Sequence, residues 1–318
     1  MALAATAALT VACADDPTAA PPPTPAISSP AAETPASSQP PAEPPPDDTV
    51  ERMRLLAAAA EAQAALLAEE AASGAGPLLA EGTLGADASW PQCPKGLGIP
   101  ERPTLGAPMP LPAARYVVLG LTNGPGFTTN PCLTEQVGWA RERDLPVAAY
   151  AVASLPDADQ LAQHGDAGPY DGGTRLGALR NAGYAQARFN LDTMAGAGLE
   201  SPIVWIDVEP VPDFDWGPDL AVNAAVVEGL ARGYRDAGLE IGVYSTPYLW
   251  ADVVGGLELG VPEWRAAGHT SRAEAARRCG TEWTIQGGAA VFGQWVEAGR
   301  DQNVTCVDLH SGNWFDLG

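Results

Sequence analysis

From Ala86 onward the chain alternates short apolar runs with longer stretches whose apolar residues recur at helical spacing. The runs predict strands at 86–90, 115–122, 146–153, 202–209, 240–245, 263–267, 291–296 and 304–309. Eight strands with helical stretches between them are the pattern of a parallel sheet, and they suffice for one (β/α)8 barrel of the α/β class, regular or irregular. Asn130-Pro131 predicts a helix start, Asn as cap and Pro in the first turn, with the helix running to about Arg143. A long helix is predicted over 174–198, ending in glycines, and another over 218–237 with Gly238 as its stop. In the latter, Leu220, Ala224, Val227, Ala231 and Tyr234 form the stripe expected to face the barrel.

Upstream the pattern changes. An Ala/Leu/Glu run in the segment 48–74, opened by Asp48 with Glu51 three residues later, predicts one helix with a capping box. Residues 14–47 are rich in proline and poor in large apolar side chains, which predicts an extended, disordered tether. Residues 1–13 are apolar and end in Leu9-Thr10-Val11-Ala12-Cys13, like the end of a bacterial lipoprotein signal with Cys13 as the lipidated residue. No Lys or Arg precedes the run and Thr10 stands where Leu is usual, so a start codon upstream or a cleaved signal without lipid are the alternatives. The folded domain is expected over 86–318.

The net charge of −22 and pI near 4.3 argue against a nucleic-acid partner or an anionic membrane surface. Any membrane contact is expected only through a lipid at Cys13. A neutral sugar or small molecule fits better. The four remaining cysteines, Cys93, Cys132, Cys279 and Cys306, imply two disulfides in a chain with a secretory start. Of the three connectivities, Cys93–Cys132 with Cys279–Cys306 closes the most local loops, each worth roughly 3–4 kcal/mol on a chain-entropy account. No Cys-x-x-Cys or His-x-x-x-His spacing occurs, so neither a metal nor another cofactor is expected, and His164, His269 and His310 read as loop residues.

The strand 202–209 carries the candidate chemistry. Val204, Ile206 and Val208 share one face; Ile203, Trp205, Asp207 and Glu209 share the other. Both faces are apolar until the end, as in a barrel strand whose C-terminal end opens on the active site. Asp207 and Glu209 would both enter the mouth, their Cα atoms about 6.5–7 Å apart at roughly 3.3 Å per residue. Each then raises the proton affinity of the other, and such a pair can divide acid and charge-stabilising roles, as glycoside hydrolysis requires. The alternative is a solvated loop stopped by Pro210. Trp205 is expected in the core layer below Asp207.

Asp87-Ala88-Ser89-Trp90-Pro91-Gln92-Cys93-Pro94, Trp205-Ile206-Asp207-Val208-Glu209, Gly242-Val243-Tyr244-Ser245-Thr246-Pro247-Tyr248-Leu249-Trp250 and Gly293-Gln294-Trp295 together resemble one family. They are similar to secreted Gram-positive bacterial proteins, with a Ser-Trp-Pro-Gln-Cys opening, related to the family 25 glycoside hydrolases, the lysozyme-type muramidases. The resemblance implies a modified barrel that cleaves the β-1,4 bond between the two amino sugars of peptidoglycan. It implies Glu209 as general acid and Asp207 as the group that orients the reacting centre, helping the substrate's acetamido group act as nucleophile. Asp87 matches an acidic residue of that family's cleft, and Asp301 the acidic position near its last strand. Trp90, Tyr150, Tyr244, Gln294 and Trp295 are the candidate substrate contacts, with core or loop packing as the alternative for the aromatics.

Three departures stand beside the resemblance. Pro91 replaces the usual Trp of the opening motif, no His follows Tyr150, and Pro212-Asp213-Phe214-Asp215-Trp216 is inserted directly after the carboxylate pair. The expectation is a monomeric, secreted, surface-tethered glycosidase acting on peptidoglycan or another glycan. Its alternative is a non-catalytic lipoprotein that binds cell wall or glycan on the same barrel.

Overall fold

In the computed structural model the described residues are 78–317 except Asp213 and Ser311, together with Ala57, Ala58, Glu61, Ala64 and Ala65. The signal-like segment and the tether lie outside them. Of the helix expected at 48–74, only the five named residues are described, and they are helical and exposed.

The eight strands of a closed barrel are β1 (Leu84–Ala88), β4 (Val117–Gly120), β5 (Val147–Val152), β6 (Ile203–Asp207), β7 (Glu240–Ser245), β8 (Glu263–His269), β9 (Ala290–Glu297) and β10 (Arg300–Thr305). A two-stranded hairpin, β2 (Gly98–Ile99) with β3 (Arg102–Pro103), projects from the connection after β1. The helices are α1 (Leu133–Arg141), α2 (Ala158–His164), α3 (Arg175–Ala197), α4 (Leu220–Asp236), α5 (Pro247–Val254) and α6 (Arg272–Arg277).

The last strand corrects the sequence reading. It runs over Arg300–Thr305 rather than 304–309, and it is antiparallel to both β9 and β1. Its polar start, Arg300-Asp301-Gln302-Asn303, reads as loop, yet a strand that meets its neighbour through the two-residue turn Ala298-Gly299 needs no crossover helix. Because β10 runs opposite to the others, its N-terminal end lies at the mouth where their C-terminal ends lie. Asp301 is thereby carried to the rim of that mouth.

Alternation sorts the side chains into two cores. Val117, Leu119, Ala149, Ala151, Val204, Ile206, Val208, Ile241 and Val243 face the helices. Tyr116, Val118, Ala148, Ile203, Trp205, Tyr244, Trp264 and Phe292 fill the barrel interior, as Trp205 was expected to do. This filling is mostly aromatic, and glycines make the room. A Cβ at Gly242 would lie 2.3 Å from the Trp205 ring, and one at Gly85 2.2 Å from Tyr116. Trp314 and Phe315 close the lower end beside Asp316, which pairs with Val147 at the start of β5.

Helix α3 starts on Thr174, whose hydroxyl accepts from Gly177 N at 3.1 Å, and ends on Gly198 in the left-handed region. Helix α1 begins at Leu133 with Cys132 as cap, not Asn130. The Asn130 side chain is drawn inward, donating to Gly120 O and Gln136 Oε1, both at 2.8 Å. In α4 the buried side chains include Val222, Val226, Val227, Leu230, Ala231 and Tyr234, while Leu220 of the expected stripe is 40% exposed. The contact face is turned because α4 also packs on α3. His164 ends α2 instead of lying in a loop, and its ring stacks on Phe127 at 4.6 Å. The disulfides are Cys93–Cys132 and Cys279–Cys306, as the local loops suggested.

The α3–α4 crossing yields a stability prediction. A Cβ on Gly229 would sit 2.0 Å from the Arg180 carbonyl oxygen. Alanine is the better helix former by about 1 kcal/mol, but overpacking costs about 1–3 kcal/mol. Because that oxygen is backbone and cannot swing aside, the cost falls toward the upper end, and Gly229→Ala should lower stability by up to about 2 kcal/mol in urea unfolding. Equal or greater stability would mean that the helices do not approach this closely.

Candidate active site

The rim is built from strand ends. In register, Val152 on β5, Asp207 on β6 and Tyr244 on β7 are neighbours. Pairing continues one residue past β6, since Val208 N donates to Tyr244 O at 3.0 Å and Ser245 Oγ donates to Val208 O at 2.7 Å. Strand geometry is thus carried to the base of Glu209, although β6 itself ends at Asp207, two residues earlier than expected. Asp207 is buried and its Oδ1 has no hydrogen-bond partner among the described residues. An unpaired carboxylate oxygen in such a place is costly unless it holds a proton or meets a ligand.

Asp87 lies across the mouth on β1 and is held by a network whose donors all run toward it. Trp264 Nε1 donates to Asn303 Oδ1 at 2.8 Å, and Asn303 Nδ2 donates to Asp87 Oδ1 at 2.9 Å. On the other side Tyr244 Oη donates to Gln294 Oε1 at 2.8 Å, and Gln294 Nε2 donates to Asp87 Oδ1 at 3.3 Å. Both amides are oriented by these partners. Trp264 and Asn303 were not among the sequence candidates. Asn303 would have been found by the strand period, two residues beyond Asp301 on the same face.

Four carboxyl groups share this rim, and their proton affinities are all raised. Burial is the first cause for each. Asp301 is the next cause for both Asp87 and Glu209, and Glu209 is the next for Asp207. Arg102 pulls Glu209 back down, and His269 does the same for Asp301. His269, read as a loop residue, ends β8. The cluster therefore holds protons at a pH where isolated carboxylates have lost them.

Arg102, also missed by sequence reasoning, crosses the mouth from β3. Its Nη2 donates to Pro212 O at 2.6 Å, and its guanidinium carbon lies 5.6 Å from the Trp90 ring centre and 5.7 Å from that of Phe214. The inserted segment is fixed a second time by Trp216, whose indole N–H donates to Glu209 O at 3.0 Å. Of the candidate contacts, Tyr150, Tyr244 and Gln294 are at the rim or just below it. Tyr150 is edge-on to Trp264 at 5.7 Å. Trp90 is half-buried with its ring faced by the Arg102 guanidinium. Trp295 is not at the mouth: one residue after inward-facing Gln294, it points outward and packs with Ala275 of α6 and Val304.

The raised proton affinity of Asp207 carries a sign for stability. The folded state binds that proton more tightly than the unfolded chain, so this group's contribution improves as pH falls from the raised value toward the ordinary carboxylate range. Asp207→Asn should raise the melting temperature near neutral pH, the advantage fading as pH approaches about 4. Thermal melts of both proteins across that range check this; a variant less stable at neutral pH would contradict it.

No family profile matches the chain. Over 70 residues it is 33% identical to Lysozyme-like protein 5 of Caenorhabditis elegans, covering 22% of this chain and 31% of that protein. Over 75 residues it is 35% identical to Probable GH family 25 lysozyme 4 of Dictyostelium discoideum, covering 23% and 34%. The chain thus spans about a third of the length of these curated relatives. Among solved structures, a muramidase from Acremonium alcalophilum aligns with TM-score 0.44 at 17% identity, over 70% of this chain and 92% of that one. The family GH25 lysozyme from Aspergillus fumigatus aligns with TM-score 0.43 at 14% identity, over 70% and 93%. The chain forms an eight-stranded closed barrel and has local sequence similarity to a lysozyme-like protein and to a probable family 25 lysozyme.

Proposed function

We propose that this protein is a lysozyme-type glycosidase of family 25 that hydrolyses β-1,4 bonds in peptidoglycan glycan strands. The observation that carries the reading is the carboxyl cluster at the barrel mouth, where burial and Asp301 raise the proton affinity of Glu209 against the pull of Arg102. Local similarity to lysozyme-like proteins supports it. In this reading Glu209 gives its proton to the leaving glycosidic oxygen as the bond to the anomeric carbon breaks. Asp207, with its unpaired Oδ1, orients the substrate's acetamido group, whose carbonyl oxygen attacks that carbon. Water then opens the intermediate and returns a proton to Glu209. Asp87 fixes the far wall, and no metal or organic cofactor enters the scheme.

The protein acts, in the same reading, as a secreted monomer tethered to the cell surface through a lipid on Cys13. Two disulfides support an oxidising compartment. A second reading, glycan binding without turnover, rests on the Arg102–Phe214 contact that bridges the mouth beside Glu209.

Glu209→Gln should lower release of reducing ends from peptidoglycan by about 10²–10⁴-fold with the fold intact. Activity retained in that variant would remove Glu209 as the acid, and saturable binding by wild type without release would establish the second reading. Asp301 raises the proton affinity of Glu209, so Asp301→Asn should lower it. The basic limb of kcat/KM against pH then moves to lower pH, because the acid form is lost earlier. An unmoved or upward-shifted limb would refute the coupling.

A further inference from the structure

Arg102 is placed by more structure than a surface cation needs. Asn123 holds the β2–β3 hairpin by accepting from Ile99 N at 3.2 Å and donating to Arg102 O at 3.2 Å. The side chain then passes over Gly124, where a Cβ would lie 2.8 Å from Arg102 Cδ. It ends between Trp90 and Phe214, with Nη2 on Pro212 O. Three connections, those after β1, β4 and β6, therefore converge on one guanidinium beside Glu209. Its Nε is buried with no hydrogen-bond partner among the described residues. A ligand cannot reach that enclosed atom, but the outer Nη end, whose bond to Pro212 O is exposed, presents its in-plane edge to a carboxylate.

The surroundings narrow what could use that edge. Asp87, Asp207, Glu209 and Asp301 make the rest of the rim hostile to an anion wherever they are ionised. A ligand with a carboxylate is tolerated only where that group meets the arginine.

Resting on the glycosidase reading, we propose that Arg102 is a specificity-determining residue that receives a carboxylate of the bound saccharide, so that the site selects N-acetylmuramic acid whose lactyl carboxyl is free. In intact peptidoglycan that carboxyl is bound as an amide to the stem peptide. The preferred substrate is then a peptide-free glycan strand, and a reaction that hydrolyses the lactyl amide must supply it.

The test compares two preparations of peptide-free glycan strands, one with free lactyl carboxyls and one with those carboxyls converted to methylamides. Wild type, Arg102→Gln and Arg102→Lys, each as the full chain with disulfides intact, are assayed for binding and for release of reducing ends. Wild type should prefer the free-acid strand by on the order of tenfold or more. Arg102→Gln should lose that preference, the ratio of acid-strand to amidated-strand KM and Kd falling to about one; Arg102→Lys should restore part of it. Equal use of the two strands by wild type, or an equal loss on both in Arg102→Gln with a normal melting curve, would overturn the proposal and leave Arg102 as a clamp between loops. Binding decides separately from turnover. A preference of wild type for the acid strand, lost in Arg102→Gln, supports the carboxylate site even if no bond is cleaved, in which case only the hydrolase reading fails. Binding to neither strand overturns both.

Discussion

Burying several carboxyl groups at one barrel mouth is the constraint on which the rest of the structure depends. Desolvation alone disfavours each charge, and the neighbours compound it, so the cluster persists only with protons, oriented donors or a compensating cation. The structure supplies each of these differently. Asp87 takes hydrogen bonds from Asn303 and Gln294, Glu209 has the Arg102 charge nearby, and Asp207 keeps one oxygen without a partner among the described residues. Such an arrangement costs stability.

Asp301 belongs to that cluster because one strand runs opposite to the others. If β10 were parallel, with a helix before it, Asp301 near its start would lie toward the closed lower end. Antiparallel pairing with β9 and β1 brings Asp301 up to the rim and sets Asn303 one layer below, opposite Gln294 and Gly85. The aromatic interior supports this layer from beneath. Trp264 touches Tyr150, Trp205, Tyr244 and Phe292, and its indole N–H anchors Asn303. A mostly aromatic filling provides both the floor and the donor.

The connections above the rim are tied together and not left as free loops. The Cys93–Cys132 bridge joins the connection after β1 to the start of α1, next to the Asn130 network under β4. Arg102 and Trp216 secure the inserted segment to the hairpin and to the backbone of Glu209. Acid placement and mouth shape therefore share the same few side chains.

The sequence by itself determined the barrel class, the faces of β6, the depth of Trp205, the disulfide pairs and the placement of Asp207 and Glu209 at a strand end. These follow from local periodicity and short loop closure, which a linear pattern expresses directly. It misassigned Trp295, because a shift of one residue in a strand reverses the face, and it ended the last strand's search too late, because Arg300-Asp301-Gln302-Asn303 looks polar when its inward side is a site. The donors converging on Asp87 and the reach of Arg102 to Pro212 were decided by the tertiary structure alone. They join residues more than a hundred positions apart, and no spacing rule connects such residues until the barrel has closed.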